Sequence, residues 1–278
     1  MHYGVCIFPT AYSMAPGALG VALEERGFES VWVAEHTHIP ASRRSPWPGG
    51  PDLPQMYYDT LDPFVALTAM ASSTSRLKLA TGICLVIERD PITTAKEVAS
   101  LDVVSGGRFM FGIGSGWNVE EMENHGTDPS SRWKLMRERV EAMKAIWADD
   151  PAEYHGEFVD FDPIHANPKP VQRPHPPIHV GGGAPHGARR AARYGNGWIP
   201  IGGRGGSVLE LLPVLDDECA KLGRARSEIE VSLYQAPTDP AELSALAEGG
   251  LDRAVFVLPS ASADELLPIL DHLASLTE

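Results

Sequence analysis

The chain has 278 residues, 43% of them hydrophobic, and its 23 basic and 37 acidic side chains leave a net charge of −14. That length suits a single α/β barrel with a large core. The acidic balance argues against a nucleic-acid surface, no apolar run approaches membrane-spanning length, and three scattered cysteines (Cys6, Cys84, Cys219) form neither a disulfide framework nor a metal motif.

The start runs straight into a strand over 5–8 and leaves no room for a signal peptide, so a reduced, cytoplasmic setting is expected. A helix over 16–26 stops at Gly27. A second strand over 30–34 ends in Glu35-His36-Thr37-His38, and a long Pro/Gly-rich loop follows to about Tyr58. Loops of that length inside compact domains are usually functional. Helix two spans 62–73, with Pro63 in its first turn. Strand three spans 77–85 and helix three 91–105. Gly106-Gly107 then turns the chain into an apolar fourth strand, which ends in Gly112-Ile113-Gly114-Ser115-Gly116-Trp117. A short helix over 119–125 precedes a long one over 130–147.

The alternation then breaks. A hairpin over 154–161, turning at Gly156, and a proline-laden linker over 163–177 form an insertion between helix four and strand five. Strand five (178–180) ends in Gly181-Gly182-Gly183, and Pro185 opens helix five. Strands over 197–200, 229–233 and 252–258 alternate with helices over 207–222, 240–248 and 264–276. Eight strands alternating with eight helices imply a parallel sheet closed into a (β/α)8 TIM barrel, with no boundary that splits the chain into two domains.

In such barrels the site lies at the carboxyl ends of the strands. Two glycine lips stand there on adjacent strands, Gly114-Ser115-Gly116 and Gly181-Gly182-Gly183. Glycine lets backbone N–H groups crowd against a ligand, which suits a phosphate-bearing cofactor with a flat ring. A tight strand-to-loop turn without a ligand is the other reading. Trp117 stands where a dinucleotide fingerprint needs its third glycine, so that fold motif is rejected. His36 and His38 point the same way from a strand end and have metal-pair spacing. Further ligands would have to come from His179 and Asp252, which fall within or before their strands. Two hydrogen-bonded loop histidines are therefore the expectation, with no metal.

Four stretches in order carry a family resemblance: Gly27 to His36, Leu79 to Ile83, Gly106 to Trp117, and Pro177 to Gly183 followed by Gly197-Trp198. With these, the chain resembles the luciferase-like monooxygenase superfamily, and within it the branch that uses the deazaflavin coenzyme F-420. The resemblance implies an oxidoreductase passing hydride between the deazaflavin and a small organic substrate, with an FMN-dependent monooxygenase as the alternative. It implies His36 as the catalytic residue, Gly82-Ile83 as a non-prolyl cis peptide behind the ring, and the glycine lips as phosphate contacts; Trp117, by its place after the lip, either walls the ring or fills the rim. It also implies a homodimer or higher oligomer. Sugar-phosphate dehydrogenases of the superfamily carry a glutamate where Trp117 stands, which puts that substrate in doubt. A barrel that binds the cofactor but is catalytically idle, with His36 structural, is the reading from another class. Substrate contacts are expected from the loop 39–58 and from the insertion.

Overall fold

A computed structural model describes residues 1–203 and 206–277. In chain order the first part of the barrel is β1 (His2–Ile7), α1 (Pro16–Glu25), β2 (Ser30–Val33), a short α2 (Met56–Asp59), α3 (Pro63–Ser73), β3 (Lys78–Thr81), β4 (Cys84–Leu85), α4 (Pro91–Ser105) and β5 (Phe109–Gly114). After it come α5 (Val119–Asn124), α6 (Arg132–Ala148), β6 (Ala152–His155) and β7 (Asp160–Ile164). The second part is β8 (Ile178–Gly181), α7 (His186–Tyr194), β9 (Gly197–Ile199), α8 (Val208–Lys221), β10 (Glu230–Tyr234), α9 (Pro240–Glu248), β11 (Arg253–Val257) and α10 (Ala263–Ser275). Parallel pairing runs β3-β2-β1-β11-β10-β9-β8-β5, and β5 pairs back to β3, which closes the barrel. Among the described residues no helix is long and apolar enough to cross a membrane.

Local sequence explains where the helices start. Asp62-Pro63, Asp90-Pro91 and Asp239-Pro240 each place a capping carboxylate before a proline at the first helical position. The aspartate accepts an otherwise orphaned N–H, and the proline had no N–H to lose. Ser207 and Glu210 form a capping box at the start of α8.

The third strand differs from the continuous strand expected over 77–85. β5 pairs Phe109 with Leu79 and Ile113 with Cys84, so five steps on the third strand face four on β5. The extra residue falls at Gly82-Ile83, whose peptide bond is cis, and it divides the strand into β3 and β4.

The barrel interior is stacked in layers. Near the amino ends, fully buried Arg253 makes a paired contact to Glu29 at 2.7 and 2.8 Å and also donates to Glu230 at 3.1 Å and Ser232 at 2.9 Å. Burial opposes the charge on Glu29, yet hydrogen bonds from Arg253 and Lys78 hold its carboxyl down at about 2. Above lies an apolar plug of Cys6, Trp32, Ala80, Met110, Ile199 and Val255, each at most 3% exposed. It closes the bore beneath the carboxyl ends of the strands.

The insertion is the expected hairpin, β6 antiparallel to β7. It is tied to α6 through Glu138, which accepts from the N–H groups of Phe158 and Val159 at 2.7 and 3.2 Å.

Candidate active site

A cavity of about 270 Å³ opens above the plug. Its walls are the carboxyl ends of the strands and the loops that follow: Ala34, Glu35 and His36 after β2, Gly82 and Ile83 between β3 and β4, Gly114 to Trp117 after β5, and Gly181-Gly182 after β8. Phe8, Tyr57, Trp133 and Tyr234 add aromatic wall. Two glycines are required by close packing. A Cβ on Gly82 would lie 2.8 Å from Cβ of Trp32, and one on Gly114 would lie 2.5 Å from Cδ1 of Ile83. Ser115 is 3% exposed, and its Oγ has no hydrogen-bond partner.

His36 is held from behind. Its Nδ1 donates to Oε2 of Glu121 at 2.7 Å, and the pair is almost sealed from solvent, with side chains 6% and 1% exposed. The other oxygen of Glu121 accepts from the N–H of Thr37 at 3.2 Å. A carboxylate on Nδ1 fixes the proton there and leaves Nε2 as the free position of the ring. The imidazole sits against the rings of Tyr57 and Trp117, with centroids at 5.4 and 5.8 Å. His38 turns elsewhere, toward Thr37 at 3.0 Å and Asn124 at 2.9 Å.

Three further acidic groups lie around this pair. Glu35 accepts from the N–H of Leu85 at 2.6 Å and from Arg89, which also reaches Asp62 and Glu97. Glu120 accepts from the N–H of Ser45 at 2.9 Å and so ties the long loop to α5. Glu88 has a buried oxygen with no hydrogen-bond partner. Burial, and then the neighbouring Glu121 and Glu35 carboxylates, push its carboxyl up to about 9.

The sequence pattern of the luciferase-like monooxygenase family matches residues 15–256. The chain belongs to that family. A protein of Mycobacterium tuberculosis named only as uncharacterized is 41% identical over 99% of this chain and 98% of its own length. An F420-dependent glucose-6-phosphate dehydrogenase of Kineococcus radiotolerans is 29% identical over 80% of this chain and 64% of its own. The crystal structure of a monooxygenase from Streptomyces bottropensis superposes with a TM-score of 0.80 at 22% identity, covering 99% of this chain and 98% of that one. At that identity the likeness concerns the barrel itself.

Against this luciferase-like frame, nine of the ten residues singled out from the sequence line the one cavity: His36, Gly82, Ile83, Gly114, Ser115, Gly116, Trp117, Gly181 and Gly182. Gly183 is not part of the lining; it is exposed, and its carbonyl accepts from the N–H of Gly187 at 2.7 Å. Glu35 does not reach an imidazole, because Leu85 and Arg89 occupy both of its oxygens. The loop after β2 contributes Pro48 and Tyr57 as expected, but the insertion contributes no lining residue. It follows a helix and precedes a strand, so it belongs to the opposite face from the β-to-α loops that build the site. Sequence reasoning missed Glu121, whose acidic pair with Glu120 at a helix start looks like an ordinary solvated first turn. The available signal was the glycine lip immediately before that helix, which aims its first turn at the barrel mouth.

Proposed function

We propose that this chain is an oxidoreductase that passes hydride between the deazaflavin coenzyme F-420 and a small organic substrate. The observation that carries the reading is a buried imidazole, oriented by a carboxylate, on the wall of a glycine-rimmed apolar cavity at the strand carboxyl ends. The residues suit such a cofactor. Gly82 and Gly114 let Trp32 and Ile83 pack against the backbone at the cavity wall, and the unpartnered Oγ of Ser115 offers a hydrogen bond to a flat ring or to its phosphate-bearing side chain. Gly116, Gly181 and Gly182 offer bare backbone at the rim. The deazaflavin over FMN is supported by the Kineococcus relative, which covers most of this chain. FMN-dependent oxygenation is the second reading, supported by an FMNH2-dependent dimethylsulfone monooxygenase of Pseudomonas putida that is 32% identical over 55% of this chain.

When bound, the cofactor supplies the hydride chemistry. The protein's part is to orient, to exclude water and to manage protons. Glu121 holds the His36 ring so that Nε2 takes up or gives a proton as charge changes on the reacting partner. Tyr57 and Trp117 pack on the ring and restrict its rotation. Ile83 stands between the two glycine lips, near enough that an added Cβ on Gly114 would strike it, and so forms the wall behind the ring. The aromatic and apolar lining keeps bulk water from the reacting atoms.

Parallel binding titrations with coenzyme F-420 and FMN, read by absorbance, test this. Preferential binding of the deazaflavin is expected. Binding of FMN alone moves the protein to the monooxygenase reading, and binding of neither leaves an idle barrel. A homodimer or larger oligomer, implied by the resemblance, would be read by sedimentation at micromolar concentration.

A further inference from the structure

One short piece of the long loop between β2 and α2 is fixed beside the cavity. Ser45 accepts from the N–H of Val119 at 3.1 Å, and its own N–H donates to Glu120 at 2.9 Å. Arg44 pairs with Glu123 at 2.9 Å and approaches Glu120 at 3.6 Å. Residues 43–45 therefore lie against residues 117–120. Further along, the same loop supplies Pro48 and Tyr57 to the cavity lining.

Within this segment Arg43 serves no contact of that kind. Its φ is +47°, a left-handed conformation that a long side chain adopts only at a cost. Its guanidinium carbon lies 5.7 Å from the ring centroid of Trp117, a wall of the cavity. Its Nη1 is sealed from solvent and has no hydrogen-bond partner. The indole attracts the cation but accepts none of its in-plane N–H groups. Nearby carboxylates are spent elsewhere: Glu120 accepts from Ser42 and Ser45, and Glu123 from Arg44. A second stranded donor adjoins the same indole. Asn118 is 2% exposed, and its Nδ2 has no partner. Two unanswered donors, one of them charged, suit an acceptor that carries negative charge. Trp117 also sets the spacing. Its ring lies 5.8 Å from the His36 imidazole, so one indole separates the proton-handling group from the group that lacks an acceptor. A small molecule can reach both.

We propose that the substrate is a small carboxylic acid bearing a carbonyl or hydroxyl group, with its carboxylate received by Arg43 and Asn118 and its reacting carbon held toward His36. The proposal rests on the oxidoreductase reading above and names its substrate class. In the reducing direction the carbonyl carbon gains a hydride from the reduced cofactor, and the carbonyl π pair moves onto oxygen. That oxygen takes the Nε2 proton of His36, which leaves a hydroxy acid and the oxidised cofactor. In the other direction Nε2 accepts the hydroxyl proton as hydride leaves the same carbon. The carboxylate takes no part in the electron movement. It anchors, so that binding at one end of the molecule orients the other. A guanidinium fork matches a carboxylate better than it matches a neutral carbonyl, which makes Arg43 a specificity residue.

The probe is 4-oxopentanoate, with its methyl ester as the neutral match. Each is titrated into the protein loaded with oxidised coenzyme F-420 and into the cofactor-free protein, read by cofactor absorbance and by tryptophan fluorescence. The acid should bind about tenfold more tightly than the ester. Arg43→Asn should remove that preference, while the melting temperature holds or rises because asparagine adopts a left-handed φ readily. Arg43→Lys, which keeps the charge without the fork, should retain part of the preference. Asn118→Ala should weaken the acid and leave the ester unchanged. Equal affinity for acid and ester, binding of neither, or a preference that survives Arg43→Asn overturns the proposal and leaves the cofactor reading standing. An acid that displaces the cofactor instead of joining it assigns Arg43 to the cofactor and also overturns the substrate class. Absence of cofactor binding, with the acid still preferred by the cofactor-free protein, overturns the oxidoreductase reading and the substrate role together and leaves Arg43 as an anion-binding residue alone.

Discussion

His36 takes its orientation from Glu121, which is distant in sequence, and not from its neighbour Glu35. Replacing His36 by alanine should lower turnover by about 10²–10⁴-fold while leaving cofactor affinity within about tenfold, as measured by steady-state rates beside a binding titration. Glu121→Gln should mimic much of that loss, because an amide can hold the wrong tautomer of the ring. Ser115 gives a prediction of opposite sign for folding and binding. Its buried hydroxyl is unpartnered, so Ser115→Ala should stabilise the fold by up to about 1 kcal/mol, read as a higher melting temperature, and weaken cofactor binding. Equal loss of both would show that the hydroxyl serves the fold. Gly182 is a poorer probe, since its φ of +121° strains any side chain regardless of ligand. For Glu88 the folded pKa, about 9, lies above the ordinary carboxyl value of 4.5. The folded chain therefore holds a proton that the unfolded chain releases. That contribution to stability is complete below 4.5 and is lost as pH rises toward about 9. Glu88→Gln, which keeps the neutral form at every pH, should raise the melting temperature more at pH 8 than at pH 5.

The elements themselves were largely legible because proline, glycine and aspartate mark their ends. Asp-Pro pairs announced three helices, and glycine pairs or triplets announced the turns around β5 and β8. Less legible was anything that depends on pairing across the barrel. The one-residue excess in the third strand shows only in its register against β5, so residues 77–85 looked like one continuous strand. The long loop hid α2, which is a single turn and owes its place to Tyr57 packing on Phe8 at 4.4 Å. Glu121 was invisible for the same reason, since its meaning comes from a histidine 85 residues away. On β8, His179 is wholly buried with neither ring nitrogen hydrogen-bonded. Burial and then the Arg253 charge lower its pKa from 6.5 to about 3. An unfolded chain takes up a proton there that the folded chain refuses, so stability should fall as pH drops from 6.5 toward 3. Proton NMR should find this ring neutral at pH 5 in the folded protein; a protonated ring there would contradict the burial argument.

At the scale of the whole molecule, an acidic barrel gathers five of its 23 basic side chains, Lys134, Arg137, Arg189, Arg190 and Arg193, on α6 and α7. Its bore is stopped below by Trp32 and the plug residues and, lower still, by the Arg253–Glu29 pair. Molecules can therefore reach the cavity from one end only, which constrains the order of events in a catalytic cycle. Whatever seats deepest must arrive before, and depart after, whatever lies over it. If two molecules react here, initial-rate patterns should be those of a compulsory sequence, and competitive product inhibition should appear only for the deep-seated product against the deep-seated reactant. A random-order pattern would require a second way in, through a plug whose side chains leave at most 3% of their surface open. Shaving the plug, as in Met110→Ala, should not open such a route, because the charged layer beneath still blocks it. The stacking of an ionic floor under an apolar one thus works as a non-return arrangement, making residence time in the lower position depend on how quickly the upper position empties.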